Sequence, residues 1–564
     1  MESKNIIKKY IQNNVGGIAL ILVIIGIFSI TELVAAYLLG KFIDELLLIS
    51  YIGLVRICVL VLINFGINSI CRFLRQYQSS KVYQKTVYEL KKEISEKIMN
   101  AQINDIEKEK VDEATISSIM MNEVNVAAQT ISSTLVSMLQ EPTIAIFAVV
   151  FLIVYLDWRI ALIICVSTPI TIIVGNYFGK RLQKKNTIFY QNIEKSNKFI
   201  IESFNGLKII KAYLAEKNTC SRYNALNKKI YENLLDLSYF QGLNEATIIF
   251  TGFISYLGLY LGGGILVKNG NISVGNLVSA FQLISFITWP IAGFGGAIAS
   301  YKNNLAAWKR IEVILNLCQE KNDEQTVYNI TPEILTFRNV SFSYPNSQDI
   351  ILKNISFDLR IGDVVALVGE NGTGKSTLFK LLLKFYSPNE GKIKLGNSDY
   401  AKLSVKDLRK QIAYVSQEVM IWDGSLKDNI LFGMESDMKL SQHESVLKEL
   451  ELYELVLKEK MGEKIESKEL SVGFKQRLAL ARAIIVDRPI VLIDEGTANI
   501  DKLTEKKIVD NFREWFEDKI VIIIAHGTFA YEISNRIFLL SNSSLVETKK
   551  DDAKVRSLLL NSDD

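Results

Sequence analysis

Histidine is almost missing from this sequence, with two among 564 residues, and proline occurs only seven times. The five cysteines, Cys58, Cys71, Cys165, Cys220 and Cys318, form no C-x-x-C pair and have no histidine at ligand spacing. A disulfide framework and a zinc site are therefore not expected, and the thiols read as free and reduced. A surplus of one charge is lacking as well: 65 Lys plus Arg against 61 Asp plus Glu leave +4. That balance offers no broad face to grip a nucleic-acid backbone, so no nucleic-acid partner is expected.

What is present is apolar: 49% of the residues are hydrophobic and 22% are charged, and the two kinds are unevenly divided. Six segments in the first half approach the roughly 20 apolar residues a bilayer asks of a helix. They are Val15–Leu39, Leu54–Leu74, Ser132–Tyr155, Ile160–Phe178, Ala246–Val267 and Asn276–Ala299. The first is too long for the core of a signal peptide and reads as a span. Lys4, Lys8 and Lys9 precede it, and Lys and Arg crowd the stretches between spans two and three and between spans four and five. The positive-inside rule then places both chain ends and both long stretches in the cytosol. Those stretches are free of proline and helical in period, so they read as long helical levers reaching out of the membrane. Glu32 and Glu245 fall within or beside spans, where ionisable groups are costly and become candidates for contact with cargo. By its position from Val15, Glu32 reads as lying toward the outer third of its span.

A polar stretch at Cys318–Asn329 marks a boundary near residue 325, followed by strand-like segments. The expected architecture is an α-helical six-span transmembrane domain over residues 1–325, with cytosolic helical extensions, and an α/β phosphate-loop NTPase domain over 326–564. Val364–Val368 is a short apolar strand leading into Gly369, Glu370, Asn371, Gly372, Thr373, Gly374, Lys375, Ser376 and Thr377, then a helix over Leu378–Phe385. This is the G-x-x-x-x-G-K-[ST] pattern in the strand-loop-helix setting it needs. Backbone amides turned by the glycines would cradle phosphates at a helix start. Lys375 would neutralise the β and γ phosphates of ATP, and Ser376 would give its hydroxyl to Mg²⁺. Further on, the buried-strand run Ile490–Ile493 ends in Asp494 and Glu495. Asp494 is placed to hold Mg²⁺ and Glu495 to act as general base toward the attacking water. His526 ends another apolar strand, Ile520–Ala525, at the same sheet edge, where it is assigned to sensing the γ phosphate. His443 lies in a polar stretch and reads as a surface residue.

These residues resemble the ATP-binding cassette transporters, and the membrane half resembles a type I exporter of the type IV fold. Tyr344 in the segment Val340–Tyr344 matches the aromatic that stacks on adenine in that family. Gln417, closing Tyr414–Gln417, matches the glutamine that contacts Mg²⁺ and γ phosphate. Ser471 and Gly473, in Leu470–Arg477, match the signature segment that faces the partner's ATP, and Asp501 matches the loop through which two ATP sites communicate. Fainter echoes run through Asp157–Arg159, Glu202–Gly206 and Ala306–Ile311, so the resemblance spans nearly the whole chain. Val472 and Phe474 depart from the pattern's Gly and Gln, and Phe474 lacks the amide that Gln would bring.

One phosphate loop and one signature segment per chain imply a dimer, either a homodimer, which is favoured, or a heterodimer. The implied activity is ATP-driven export of a peptide, drug-like or lipophilic compound, with membrane lipids as surroundings. A floppase for lipid or lipid-linked glycan is the alternative, and an ATP-gated channel or regulatory subunit a third. The abundance of Ile, Lys and Asn suggests an AT-rich bacterial gene and hence the cytoplasmic membrane.

Overall fold

The computed structural model describes residues 3–320, 332–345, 347, 349–434, 440–460, 471–495, 500–524, 528–552 and 555–557. By packing, the chain divides into two compact units, Met1–Met99 with Glu113–Asn316, and Asn100–Asp112 with Leu317–Asp564.

The first unit is helical throughout. Among the described residues, four helical runs are long and apolar enough to cross a membrane: Val15–Leu47, Tyr51–Met99, Glu113–Leu156 and Glu216–Lys268. The apolar stretches read at Ile160–Phe178 and Asn276–Ala299 lie within the continuous helices Trp158–Asn205 and Val274–Leu315. At about 1.5 Å per residue the 49-residue helix Tyr51–Met99 is about 73 Å long, far more than a bilayer requires. Helix starts follow local chemistry: Asp157 Oδ1 accepts from Arg159 N at 2.8 Å, and Ser273 Oγ accepts from Asn276 N at 3.0 Å. Prolines 142, 169 and 290 sit inside helices, where membrane packing tolerates them.

The helix that carries Glu32 runs on to Leu47, about 22 Å further along its axis. Arg72 Nη2 donates to Glu32 Oε1 at 2.7 Å. Glu245 is exposed on the helix Glu216–Gly258. Cys58, Cys71, Cys220 and Cys318 are free thiols.

The second unit holds two sheets. Strands β1 (Ile334–Phe342), β2 (Leu352–Arg360), β4 (Glu390–Leu395) and β5 (Ser398–Asp399) form an antiparallel sheet in the order β2-β1-β4-β5. Strands β3 (Val364–Val368), β6 (Ile412–Val415), β7 (Ile490–Asp494), β8 (Ile520–Ile524), β9 (Arg536–Ser541) and β10 (Ser544–Thr548) form the other, in the order β10-β9-β3-β8-β7-β6. All of its pairings but β10–β9 are parallel. β3, β7 and β8 are buried on both faces, which is why they read as unbroken apolar runs. Their residues alternate between two cores: Val364, Ala366 and Val368 pack with Leu478, Ile508 and Phe512, while Val365 and Leu367 pack with Phe337, Phe357 and Phe538.

The same unit claims a segment from between two long helices. The short helix Ile103–Lys108 is fixed to it at several points. Ala101 bridges Gln319, Gln102 N donates to Cys318 O at 2.9 Å, and Cys318 N donates to Asp105 Oδ2 at 2.8 Å. Glu107 accepts from the Tyr386 hydroxyl and pairs with Lys380 at 3.7 Å.

Candidate active site

Register brings three strand ends to one level. Leu367 of β3 pairs with Ile524 of β8, and Ile524 pairs with Asp494 of β7. Whatever follows β3 and β7 therefore projects from the same carboxyl edge of the sheet, where open α/β sheets place their ligands.

The loop after β3 needs its glycines. Gly372 and Gly374 have φ of +81° and +105°, and a Cβ on Gly369 would meet the Leu540 carbonyl oxygen at 2.5 Å. The left-handed Gly374 ends the loop, and the helix begins at Lys375 and runs to Leu382, starting three residues earlier than the apolar pattern indicates. Lys375 is only 7% exposed, and its ammonium donates to the carbonyls of Gly369 at 2.6 Å and Glu370 at 3.0 Å. Burial lowers its pKa, while the carboxylates of Glu495 and Asp494 pull the other way. Glu370, Asn371 and Ser376 are exposed, and Thr373 Oγ1 donates to Glu370 O at 2.9 Å. Thr377 is buried, and its hydroxyl lies 3.0 Å from that of Tyr344. The Tyr344 ring stands perpendicular to Tyr386 at 5.2 Å, with the Lys380 ammonium 5.3 Å from its centroid.

At the end of β7, burial and the adjacent Glu495 push the Asp494 carboxyl up to about 6, against the opposing pull of Lys375. Two carboxyls beside one buried lysine leave surplus negative charge, and that donor set fits a divalent cation such as Mg²⁺. Glu495 is held from three sides. Its N–H donates to Ile524 O at 2.8 Å, its carbonyl accepts from Gln476 Nε2 at 3.2 Å, and its Oε2 accepts from Gln417 Nε2 at 2.8 Å. Its φ of +52° is a left-handed conformation that costs a non-glycine residue about 1 kcal/mol, and such strain gathers where a side chain must be aimed.

Lys375, Asp494, Glu495 and Gln417 thus converge, with Tyr344 joined to them through Thr377. Ser471, Gly473 and Asp501 stand at helix starts instead. Ser471 Oγ accepts from Phe474 N at 3.2 Å at the head of Val472–Ile485, and Asp501 Oδ1 accepts from Thr504 N at 3.0 Å at the head of Lys502–Phe516. The Thr504 N–H, the largest influence on Asp501, lowers its pKa. Phe474 is 4% exposed and packs into the core with Leu478, whereas Val472 is 56% exposed. The start of that helix is therefore exposed at Ser471 and Val472 and half-buried at Gly473, and the Phe474 ring is turned into the core. His526 lies outside the described residues, as does Leu470. The sequence reading assigned no role to Gln476, which braces Glu495 from two residues past Phe474. Only tertiary packing reveals that contact, although the motif segment itself contains the residue.

Two family models match the chain. A family model described as "ABC transporter" matches residues 352–498, and one described as "ABC transporter transmembrane region" matches residues 17–291. A Rickettsia bellii protein described as an export ATP-binding/permease protein is 30% identical over 558 residues, covering 93% of this chain and 92% of its own. An ATP-dependent lipid A-core flippase of Syntrophus aciditrophicus is 24% identical over 524 residues, with 91% and 85% covered. A lactococcin-A transport/processing ATP-binding protein of Lactococcus lactis is 30% identical over 432 residues, with 74% and 58% covered.

Proposed function

The chain belongs to the ABC transporters, with that family's transmembrane region and its ATPase region on one polypeptide, and on this premise we propose how its residues divide the work. It is a multi-pass membrane protein, an ATP-binding and ATP-hydrolysing exporter half. Half-transporters of this family generally dimerise.

In the proposed division, residues 1–325 carry cargo and residues 326–564 bind and hydrolyse ATP, with both termini in the cytosol and the spans in the cytoplasmic membrane. Two copies of the chain set the phosphate loop of each against Ser471 and Gly473 of the other. Tyr344 stacks on adenine through its ring face. The amides from Gly369 to Thr377 and the Lys375 ammonium hold the phosphates. Ser376, Gln417 and Asp494 would hold Mg²⁺, which when bound neutralises charge on the phosphate oxygens. Glu495 takes a proton from water as that water attacks the γ phosphorus, the bond from that phosphorus to the β–γ bridging oxygen breaks so that ADP leaves with the electron pair, and Gln417 keeps the carboxylate aimed. His526 contacts the γ phosphate, and Asp501 links the two sites. ATP favours the closed dimer, closure turns the spans outward, and hydrolysis resets them, because only a ligand with different affinities for two states can shift their balance.

The observation that carries this reading is the meeting of buried Lys375 with the Asp494–Glu495 pair at one sheet edge. The proposed cargo is an amphiphilic or lipophilic compound. A lipid cargo is the second reading, favoured by the likeness to a lipid A-core flippase. To test both, the purified full-length chain is placed in vesicles and the flux of a fluorescent lipid and of a hydrophobic dye is followed with and without ATP. ATP-dependent flux of either compound supports export, and the one that moves identifies the cargo class. Flux that ignores ATP contradicts the proposal.

A further inference from the structure

Two arginines stand one turn apart on the helix Tyr51–Met99, within the helical unit. Arg72 and Arg75 both lie against the ring of Phe28, at 5.2 and 5.4 Å from its centroid. Arg72 is aimed by its neighbours: Nη2 donates to Glu32 Oε1 at 2.7 Å and Nε donates to Asn68 Oδ1 at 2.9 Å. Asn68 is anchored in turn, its Nδ2 donating to Glu32 Oε1 and to Thr31 Oγ1, each at 3.1 Å. Asn64 Nδ2 completes the brace on the Thr31 carbonyl at 3.0 Å. Thr31, Asn64 and Asn68 are buried. Arg75 Nη1 donates to Gln140 Oε1 at 2.6 Å on the run Glu113–Leu156.

This framework spends few of the available donors. A guanidinium carries five N–H groups in a plane. Arg72 Nη1 and the Nε and Nη2 of Arg75 hydrogen-bond to no described residue. The Arg72 side chain is 61% exposed, while its partner Glu32 is 15% exposed. An ion pair serving only to join two helices would enclose both members, because a desolvated charge with unmet donors is costly. Here the carboxylate is enclosed and the cation faces outward. Below the ring, Phe28 packs with Ile24, Cys71 and Ile144 in a small apolar cluster that fixes the platform. Leu74 and Leu139, beside Arg75 and Gln140 in the chain, are exposed and add apolar surface.

Each guanidinium has one carboxylate within electrostatic reach, Glu32 at Arg72 and Glu141 at Arg75, and keeps planar donors that suit a phosphate or carboxylate, while the apolar surroundings suit a tail. We propose that Arg72 and Arg75, held by Glu32, Asn68 and Gln140, form a subsite for the oxyanion of an amphiphile. Calling that amphiphile cargo rests on the exporter reading; the binding itself does not.

The test uses the full-length chain in nanodiscs of zwitterionic phosphatidylcholine. Equilibrium binding of labelled dodecyl phosphate is compared with that of dodecanol, and a parallel arm replaces the added amphiphile by labelled phosphatidylglycerol within the disc. Wild type should hold the anionic probe of at least one arm about tenfold more tightly than the neutral one, as charged hydrogen bonds imply. The arm that shows this preference tells a free amphiphile from a lipid headgroup. Arg75→Gln should abolish the preference. So should the double change Glu32→Gln with Arg72→Gln, which leaves no orphan charge behind and so separates lost binding from lost folding. Lys268→Gln, remote from the pair, should keep it. Equal binding of anionic and neutral probes to wild type in both arms, or an unchanged preference in both variants, overturns the proposal. ATP plays no part in the measurement, so a failure of ATP-driven flux would leave its result standing.

Discussion

Gln417 donates its Nε2 to Glu495 Oε2 at 2.8 Å, so the second residue after β6 and the first after β7 are joined side chain to side chain. β6 and β7 are parallel neighbours, and Val415 pairs with Ile493, which sets the two residues side by side. Removing the amide should leave the carboxylate unaimed while sparing the nucleotide's other contacts. Gln417→Ala is expected to lower ATP turnover by about tenfold or more with a smaller change in ATP affinity, measured by steady-state ATPase and equilibrium nucleotide binding. A loss confined to affinity would contradict this role.

Asp494 gives a prediction in pH. Burial and Glu495 raise its folded pKa to about 6, above the value near 3.9 of a free aspartate. Between these values the folded state binds the proton more tightly than the unfolded state. Stability contributed by this group is therefore full below about 4, falls as pH rises to about 6, and stays lost above. Asp494→Asn removes that penalty. Without nucleotide, the variant should melt above wild type at pH 7.5, by about 2–4 °C for each kcal/mol recovered, and the gap should shrink at pH 4. The same variant should lose Mg²⁺-supported ATP turnover. A wild type more stable than the variant at pH 7.5 would contradict the charge argument.

The short helix Ile103–Lys108 packs with the nucleotide unit, yet covalently it joins the long helices that end at Met99 and begin at Glu113. This segment is expected to couple ATP hydrolysis to cargo movement. Glu107→Ala cuts its link to Tyr386 and Lys380. ATP turnover should stay within about twofold while vesicle flux drops by about tenfold, in line with the loss of a hydrogen bond to a charged group. Parallel losses of both would point to damaged nucleotide binding instead.

Trp308 is fully buried, its Nε1 donates to Thr130 Oγ1 at 3.1 Å, and its ring meets Tyr10 at 5.8 Å. Trp308→Ala should cost about 3–5 kcal/mol, seen as a lower melting temperature of the solubilised chain. Thr130→Val, which orphans one buried N–H, should cost about 1–3 kcal/mol.

Local chemistry was legible in the sequence, and long-range partnership was not. The β3 run Val364–Val368 matches its apolar stretch residue for residue, because a strand buried on both faces has no polar position to blur it. The phosphate loop likewise announces itself by glycines whose positive φ no other residue takes easily. Glu32 was legible as a costly intramembrane acid, but its partner Arg72, 40 residues away, depends on how two helices pack. Phe474 reads as a defect in a motif until its burial shows that it packs into the core, and the bond from Gln476 to the Glu495 carbonyl has no sequence signal of its own. The attachment of Ile103–Lys108 to the nucleotide unit depends on contacts with Cys318, Lys380 and Tyr386, which no local pattern encodes.

The central claim is that Glu495 drives hydrolysis of ATP held by Lys375 and its loop. It is tested most directly by Glu495→Gln in the full-length chain, with ATP affinity and single-turnover hydrolysis measured on the same preparation. The account predicts unchanged affinity and hydrolysis slowed by about a hundredfold or more. Hydrolysis at the wild-type rate in this variant would contradict it.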